Sequence, residues 1–324
     1  MNSTRKLHYL KAWGKNLFGL QALSAILSSF GALWLLVEMS AFFFQNTQLP
    51  DVLRSFWFVF AAAGSMLAAV ICRPKLSVSC RLTGRDTFIE IAVGDLFDFS
   101  GALIIGSNTT FDTHVSRQLI SEKSVQGSFT RKYYGDEAQL EAEIAKGLGD
   151  LRHQVLQGNR VGKSNRYPMG TVVRLSPKER TAYFVAIAHL NEHGAASSSF
   201  DNLKESLAKL WVFIGQCGPK ETLVMPVLGT GFCRLPQPRE EVVREIIQSF
   251  VAACAEVTFC DKLTIVLSPD DVEKHAIEFH ELGLYLQHVT KYTCFNARNG
   301  SKAVGTPVLP RAIPDEGLDR IPAG

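Results

Sequence analysis

The sequence predicts an α/β domain that follows a pair of membrane-spanning helices. Two long apolar runs fill most of residues 17–74, and from residue 75 to residue 290 short β-rich runs alternate with amphipathic helical stretches. Residues 291–324 are rich in Gly, Pro and charge and have no periodic apolar face. We therefore expect a basic cytoplasmic N-terminus over 1–16, a two-helix hairpin over 17–74, a globular domain over 75–290 and a disordered tail over 291–324.

Composition narrows the classes of function. The 324 residues exceed one ordinary domain, which leaves room for an anchor, a domain and a tail. A net charge of +3 with 20% charged residues gives no electrostatic case for a nucleic-acid partner. The seven cysteines are scattered, without zinc-site spacing, so we expect reduced thiols and no metal; a disulfide-bonded secreted domain is the less favoured alternative.

The two apolar runs fit transmembrane helices. The first, over residues 17–44, holds Glu38 as its one charged residue, and the second, over 55–72, lies between Arg54 and Arg73. A helix that crosses a bilayer needs about 20 apolar residues. A signal peptide is the competing interpretation, but its apolar core would be shorter and would end at a cleavage site. Basic residues flank the pair on both outer sides, so we expect a multi-pass protein with both termini in the cytoplasm.

Two features inside these runs have more than one interpretation. Ala61, Ser65 and Ala69 form a stripe of small residues beside Gly64 and Ala68. Such a stripe lets another helix pack closely, either the first span of the same chain or a helix of another subunit. The carboxylate of Glu38 either reaches the lipid headgroups or faces a polar pore.

The globular part contains seven predicted strands and four predicted helices. The strands are LSVSCRL, TFIEIAV, ALIIGS, TVVRLS, AYFVAIAHL, TLVMPVL and KLTIVLS. The helices are QLEAEIAKGLGDL, FDNLKESLAKLWVFIGQ, REEVVREIIQSFVAAC and a last one through VEKHAIEFHELGLYLQHV, which starts after Ser268.

Two junctions between strand and loop hold the candidate binding residues. In the first, one strand ends at Gly94 and Asp95 and the next delivers Ser107 and Asn108 to a loop. In the second, residues 229–231 read Gly-Thr-Gly after a strand and before a helix, where free backbone N–H groups can cradle a diphosphate. Ligands of open α/β sheets bind at the carboxyl ends of strands. Taken singly, the Gly-Thr-Gly turn and Asp95 are equally compatible with ordinary turn structure.

Together these junctions resemble the macro domain, the ADP-ribose-binding fold, over roughly Ser77 to His288. The resemblance implies a three-layer α/β/α sandwich with a mixed sheet. It implies that Asp95, with the Leu96 backbone beside it, binds the adenine amino group, and that Asn108, next to Ser107, faces the distal ribose. It also implies that the phosphate loop, made of Gly229, Thr230, Gly231 and Phe232, binds the diphosphate.

Departures from the family pattern bear on catalysis. Ile105 stands where hydrolytic macro domains have an asparagine, and FDTHVSRQ replaces their glycine run, which argues against hydrolase activity. Cys233 and Arg234 replace an aromatic residue and a glycine, so the distal ribose and its substituent would be held differently; Arg234 either meets an acidic group of the ligand or is solvated.

Three histidines are candidates for acid-base or metal chemistry. His114 is a candidate acid or base, although a lone loop histidine is more often polar surface. His189 and His193 have helical metal-ligand spacing but no close carboxylate or cysteine to complete a set. We assign no catalytic residue and no metal ligand.

Two spans followed by a macro-like domain, with the phrases NTTFDTHVSRQLISEKSVQGSF and RYPMGTV, resemble the transmembrane-macro effectors of the Thoeris anti-phage system. The resemblance implies a receptor in the bacterial inner membrane that catalyses no reaction and needs no cofactor. Its ligand would be an ADP-ribose derivative made by a TIR-domain partner, and binding would drive homo-oligomerisation and disruption of the lipid membrane. The alternatives are a membrane-tethered ADP-ribosyl hydrolase and a constitutive anchor.

Overall fold

The computed structural model describes residues 20–43, 48, 52, 55–71, 76–115, 119–157, 161–229, 235–275 and 277–293. The chain divides into two compact units, Met1–Cys294 and Phe295–Gly324, and every described residue belongs to the first. The predicted disordered tail therefore lies almost entirely outside the described residues.

Two apolar helices begin the described part. Helix α1 spans Leu20–Phe43, and its segment Ile26–Phe43 is long and apolar enough to cross a membrane. Helix α2 spans Trp57–Ile71, and its 15 residues fall short of the roughly 17 that a spanning helix needs. Among the described residues, α1 is thus the one candidate span, and the predicted two-helix transmembrane hairpin is not confirmed.

The small residues of α2 divide between two sides of the helix. Gly64 and Ala68 are buried, and a Cβ built on Gly64 would lie 3.3 Å from the backbone N of Phe30 in α1. Ser65 is exposed, as is Glu38 on α1. The Gly64–Ala68 pair therefore packs within the chain, where a larger side chain would push the two helices apart.

The globular part is built on a mixed β-sheet. The strands of the globular part, within the described residues, are β1 Ser77–Arg81, β2 Phe88–Val93, β3 Ala102–Asn108, β4 Gln154–Val155, β5 Asn165–Arg166, β6 Val172–Leu175, β7 Ala182–Leu190, β8 Ala196–Ser197, β9 Thr222–Pro226 and β10 Lys262–Leu267. The order is β1-β2-β10-β9-β3-β7-β6, with β8 paired to β7 and β4 paired to β5 in a separate hairpin. The run from β2 to β7 is parallel, and β1 and β6 are antiparallel to their neighbours. Five strands therefore end at one edge of the sheet, which we call the carboxyl edge.

Helices cover both faces of the sheet. They are α3 Val125–Tyr133, α4 Glu137–Leu148, α5 Phe200–Cys217, α6 Arg239–Glu256, α7 Pro269–Lys274 and α8 Phe279–Tyr292. Along β7, Ala182 and Phe184 join a core with residues of α3 and α4, whereas Tyr183 between them stacks its ring against Phe213 of α5. Since successive side chains of a strand point to opposite faces, α3 and α4 lie on one side and α5 on the other. This is a three-layer α/β/α arrangement.

The seven predicted strands are all present, and three of the four predicted helices follow their sequence patterns. The predicted single helix after Ser268 is wrong, because it divides into α7 and α8. The hydroxyl of Ser268 accepts from Asp271 N at 3.0 Å and caps α7, as its position predicts. After α7 the buried Ile277 donates its N–H to Val272 O, five residues back, so the chain leaves the helical path to bury this side chain.

The cysteines inside the described ranges, Cys80, Cys217, Cys254 and Cys260, are free thiols. Burial raises the pKa of Cys254 to about 12, so this thiol stays protonated and unreactive at neutral pH.

Candidate functional site

The carboxyl edge brings the two predicted junctions together. Gly94 and Asp95 follow β2, Ser107 and Asn108 end β3, and Gly229 follows β9. The strand between β2 and β9 is β10, and Gly94 N donates to Leu267 O of β10 at 3.0 Å. From β2 to β3 is three strand spacings, or about 14 Å. The predicted binding residues are therefore spread along one edge of the sheet and do not cluster at one position.

Asp95 begins a 3-10 turn over Leu96–Asp98. Its Oδ1 accepts from Phe97 N at 3.0 Å, so the carboxylate caps this turn in the way that turn aspartates commonly do. The residue is nevertheless exposed, and a capped carboxylate keeps acceptor capacity on its second oxygen. Leu96 is buried and fixes the base of the turn in the core.

Arg180 holds the connection that carries Asp95, and sequence reasoning missed it. Its guanidinium donates to Gly101 O at 2.7 Å, to Phe99 O at 2.5 Å and to the hydroxyl of Tyr133 in α3 at 2.7 Å. One planar side chain thus ties the segment between β2 and β3 to a helix. No local signal marked Arg180, because its partners lie about 80 residues earlier in the chain and on another element.

The end of β3 is buried, and its side chains shape the loop that follows. Asn108 is buried, and its Oδ1 accepts from Thr110 N at 3.0 Å and Asp112 N at 3.2 Å. The side-chain oxygen is therefore committed to shaping the following loop. Ser107 is buried too, and its hydroxyl finds no hydrogen-bond partner within the described part of the chain. A buried unpaired hydroxyl at a strand end is a group that a bound ligand can satisfy.

Ile105 is fully buried in the core cluster that packs against α3 and α4. It therefore presents no polar group at the position where hydrolytic macro domains are expected to have an asparagine.

Gly229 opens the predicted phosphate loop. Its φ of +73° lies in the left-handed region, and a Cβ there would lie 2.4 Å from Leu235 Cδ1. Its carbonyl accepts from Leu235 N at 3.2 Å, which closes the two ends of the loop onto each other. Only glycine combines this conformation with such close approach. Thr230, Gly231, Phe232, Cys233 and Arg234 lie outside the described residues.

Helix α6 starts just beyond this loop, at Arg239, and no side chain caps its N-terminus. Arg239 itself pairs with Asp271 of α7 at 3.3 Å. An uncapped helix start presents backbone N–H groups and a positive dipole end, which favour an anion, whereas Glu240 and Glu241 in the first turn place negative charge at the same end.

His114 and His189 have side-chain partners within the described residues. His114 lies between two carboxylates of α4, with Nδ1 3.3 Å from Glu137 Oε2 and Nε2 3.5 Å from Glu141 Oε2. These contacts link the loop after β3 to α4, so His114 holds the loop in place and is not a base directed at a ligand.

His189 Nδ1 lies 3.1 Å from the hydroxyl of Thr109, in the loop after β3. Burial, and secondarily the nearby Arg166, lowers the pKa of His189 below its usual value of 6.5. His193 is exposed on the following turn, whereas His189 is partly buried. No group of three potential metal ligands exists within the ranges that the structure covers.

Comparison with known proteins identifies the relatives of this chain. The family described as "Thoeris protein ThsA, Macro domain" matches residues 89–268, from β2 to the end of β10. The Thoeris protein ThsA of Bacillus amyloliquefaciens (strain Y2) is 23% identical over 217 residues, which cover 64% of this chain and 69% of that protein.

Solved structures similar to the chain are macrodomains. The Oceanobacillus iheyensis macrodomain with MES bound superposes with a TM-score of 0.44 at 16% identity, over 67% of this chain and 97% of that one. The Trypanosoma brucei macrodomain in complex with ADP-ribose gives a TM-score of 0.38 at 13% identity, over 57% of this chain and 67% of that one.

Proposed function

The chain belongs to the family of the Thoeris protein ThsA macro domain, and from this premise we propose that it is a membrane-bound anti-phage effector that senses an ADP-ribose derivative. A TIR-domain enzyme is the proposed source of this signal. Ligand binding at the carboxyl edge then drives assembly of the protein in the bacterial inner membrane, and the assembled helices disrupt the membrane.

The layout of the carboxyl edge supports a long ligand with an adenine and a diphosphate. Asp95 at one end offers a carboxylate acceptor for an exocyclic amine. The uncapped start of α6 and the Gly229 turn offer backbone N–H groups for phosphate oxygens nearer the middle. Ser107 offers an unpaired buried hydroxyl beyond them. A compact ligand would not contact all of these across about 14 Å of sheet edge.

The same residues favour binding over hydrolysis. Ile105 is apolar and buried, and the side-chain oxygen of Asn108 already accepts from two loop amides. Neither residue is therefore free to orient a water for attack at the distal ribose. Hydrolase activity remains the competing function and is an outcome of the experiment below.

The observation that carries the proposal is the position at which the apolar helices join the domain. β1 runs antiparallel to β2, and Leu76 O accepts from Val93 N at 2.8 Å. Asp95 follows Val93 by two residues, so the start of the domain is hydrogen-bonded to β2 just before the candidate ligand turn. Four residues separate α2 from Leu76, and a chain of that length spans at most about 18 Å.

This arrangement gives ligand binding a short physical route to the membrane segments. A ligand that binds one arrangement of the Gly94–Asp95 turn more tightly shifts the population toward that arrangement, and β1 pairs with β2, the strand that leads into this turn. In α2 the exposed Ser65 lies on the side that does not pack against α1, so the face around it is available for contact between subunits in the assembled state.

Binding is tested by calorimetric titration of ADP-ribose into the full-length protein in lipid nanodiscs. We expect saturable heat for the wild type and affinity weakened about tenfold in Asp95→Asn, which keeps an oxygen for the Phe97 cap but loses the charge. Asp86→Asn is the matched control, because Asp86 is an exposed carboxylate at the opposite edge of the sheet. Unchanged affinity in Asp95→Asn would contradict the assigned site.

The same variants test the output in liposomes loaded with a quenched dye. We expect ligand-dependent dye release from wild-type protein and from Asp86→Asn, and release that needs more ligand with Asp95→Asn. Release without ligand, or binding without release, would count against a gated effector. Conversion of the ligand to product in either assay would favour the hydrolase.

A further inference from the structure

The loop after β3 is unusually rich in buried polar side chains. Loops normally lie in solvent, and a buried polar group destabilises the fold unless it is hydrogen-bonded. Within this loop and the strand end before it, the polar residues that are almost fully buried are Ser107, Asn108, Thr109, Thr110, Asp112 and Thr113. Such a loop keeps one shape only if its polar groups hold each other in place.

The loop also contains a strained residue. Phe111 has a φ of +50°, a conformation that bulky side chains rarely adopt, and its ring is fully buried against Tyr167 with centroids 5.9 Å apart. Backbone strain of this kind persists where the surroundings over-determine it and is concentrated at functional sites. Something must therefore hold the backbone on both sides of Phe111.

Asp112 supplies that restraint from within the loop. It is 0% exposed, its Oδ1 accepts from Lys163 N at 2.8 Å, and its backbone O accepts from Gln126 Nε2 at 2.7 Å. Its Oδ2 and the Asn108 oxygen both face the hydroxyl of Thr110, whose single proton serves one of them at a time. A buried carboxylate with these partners fixes the loop to a segment 51 residues away.

Lys163 restrains the backbone of the strained residue, Phe111, directly. Its Nζ donates to Phe111 O at 2.9 Å and pairs with Glu141 of α4 at 3.2 Å. The backbone N–H of Lys163 thus binds Asp112, while the side chain of Lys163 binds Phe111. Gly162, just before it, has a φ of +101°, and a Cβ there would lie 2.8 Å from Asp112 Oδ1. The close approach of this segment to the carboxylate therefore requires glycine.

We propose that Asp112 is a positioning residue which, through Gly162 and Lys163, holds the loop after β3 in the shape that presents Ser107 to the ligand. It contacts no ligand itself and acts through the backbone of residues 108–111. This inference rests on the proposed ligand site. It adds a contact between Asp112 and residues 162–163 of the β4–β5 connection, which we call the brace; neither strand-to-loop junction contains these residues.

The chain offers a matched pair of substitutions for the test. Gly162 and Gly84 both have positive φ, +101° and +79°, so alanine is strained at either position. A Cβ at Gly162 strikes Asp112, whereas at Gly84 it meets nothing within 4 Å. In full-length protein in nanodiscs we expect Gly162→Ala to weaken ADP-ribose binding about tenfold relative to Gly84→Ala, and to lower Tm more, because the clash with Asp112 adds to the backbone strain that both variants carry.

Hydrogen exchange of the ligand-free protein keeps the test independent of the ligand. Peptides covering residues 107–113 should exchange faster in Gly162→Ala than in Gly84→Ala, and Asp112→Asn, which retains an oxygen for Lys163 N, should stay near wild type in both readouts. Equal exchange and equal affinity in the two glycine variants would overturn the proposal. If the wild type binds no ADP-ribose, the proposed function fails, and the exchange comparison still decides whether the brace exists.

Discussion

At the scale of single residues, the carboxyl edge shows which side chains a sequence can identify. Asp95, Ser107, Asn108 and Gly229 lie at or just after the ends of predicted strands, so the rule that ligands bind at strand ends was enough to single them out. Asp112, Gly162 and Lys163 were not predicted, because their contact joins loops 51 residues apart. No period or spacing encodes such a contact; it exists only after both loops have folded.

His189 gives the protein a stability that depends on pH. Burial and Arg166 hold the pKa of His189 below 6.5 in the folded protein, whereas in the unfolded chain it titrates near the ordinary value. As pH falls below about 6.5 the unfolded chain binds a proton that the folded protein does not bind, so the free energy of unfolding decreases. We expect a lower Tm at pH 5.5 than at pH 7.5. The difference between these two Tm values should be smaller in His189→Gln than in the wild type.

The control is His193→Gln, since His193 is exposed on the turn four residues later. In thermal unfolding at these two pH values, the difference in Tm of this variant should equal that of the wild type. If His189→Gln also keeps that difference, the pH dependence arises from other groups.

At the scale of elements, apolar pattern predicted the strands well. The central strands are continuous apolar runs because both of their faces are covered by helices. Helix α3, VQGSFTRKY, was missed because its nine residues include a glycine and too few apolar side chains to form a stripe. The division between α7 and α8 was missed because the helical pattern continues through it, and the burial of Ile277 decides the turn.

Arg180 links three elements, which makes its removal measurable. We expect Arg180→Lys to lower the free energy of unfolding in urea by about 2 kcal/mol, because an ammonium cannot reproduce the three donors to Phe99 O, Gly101 O and Tyr133. Arg174→Lys, at an exposed position on β6, should change it by less than about 0.5 kcal/mol. Equal effects of the two substitutions would show that the guanidinium does not organise this connection.

At the scale of the whole molecule, the antiparallel first strand has the largest consequence. Because β1 returns along β2, the chain enters the domain at the carboxyl edge, beside the turn that carries Asp95. The sequence predicted the apolar segments and the α/β domain but not this adjacency, since strand direction depends on pairing between segments rather than on the pattern of either one. The two membrane spans, the orientation of the protein and the domain boundaries remain predictions.

Hydrogen exchange of the full-length protein with and without ADP-ribose tests the central claim most directly. The account predicts ligand-dependent protection in peptides covering residues 93–97, 106–110 and 227–229 at the carboxyl edge, and none at the β1–β2 turn, residues 82–87, at the opposite edge. Protection at residues 82–87, or at none of the carboxyl-edge peptides under saturating ligand, would contradict a nucleotide site at this edge of the sheet.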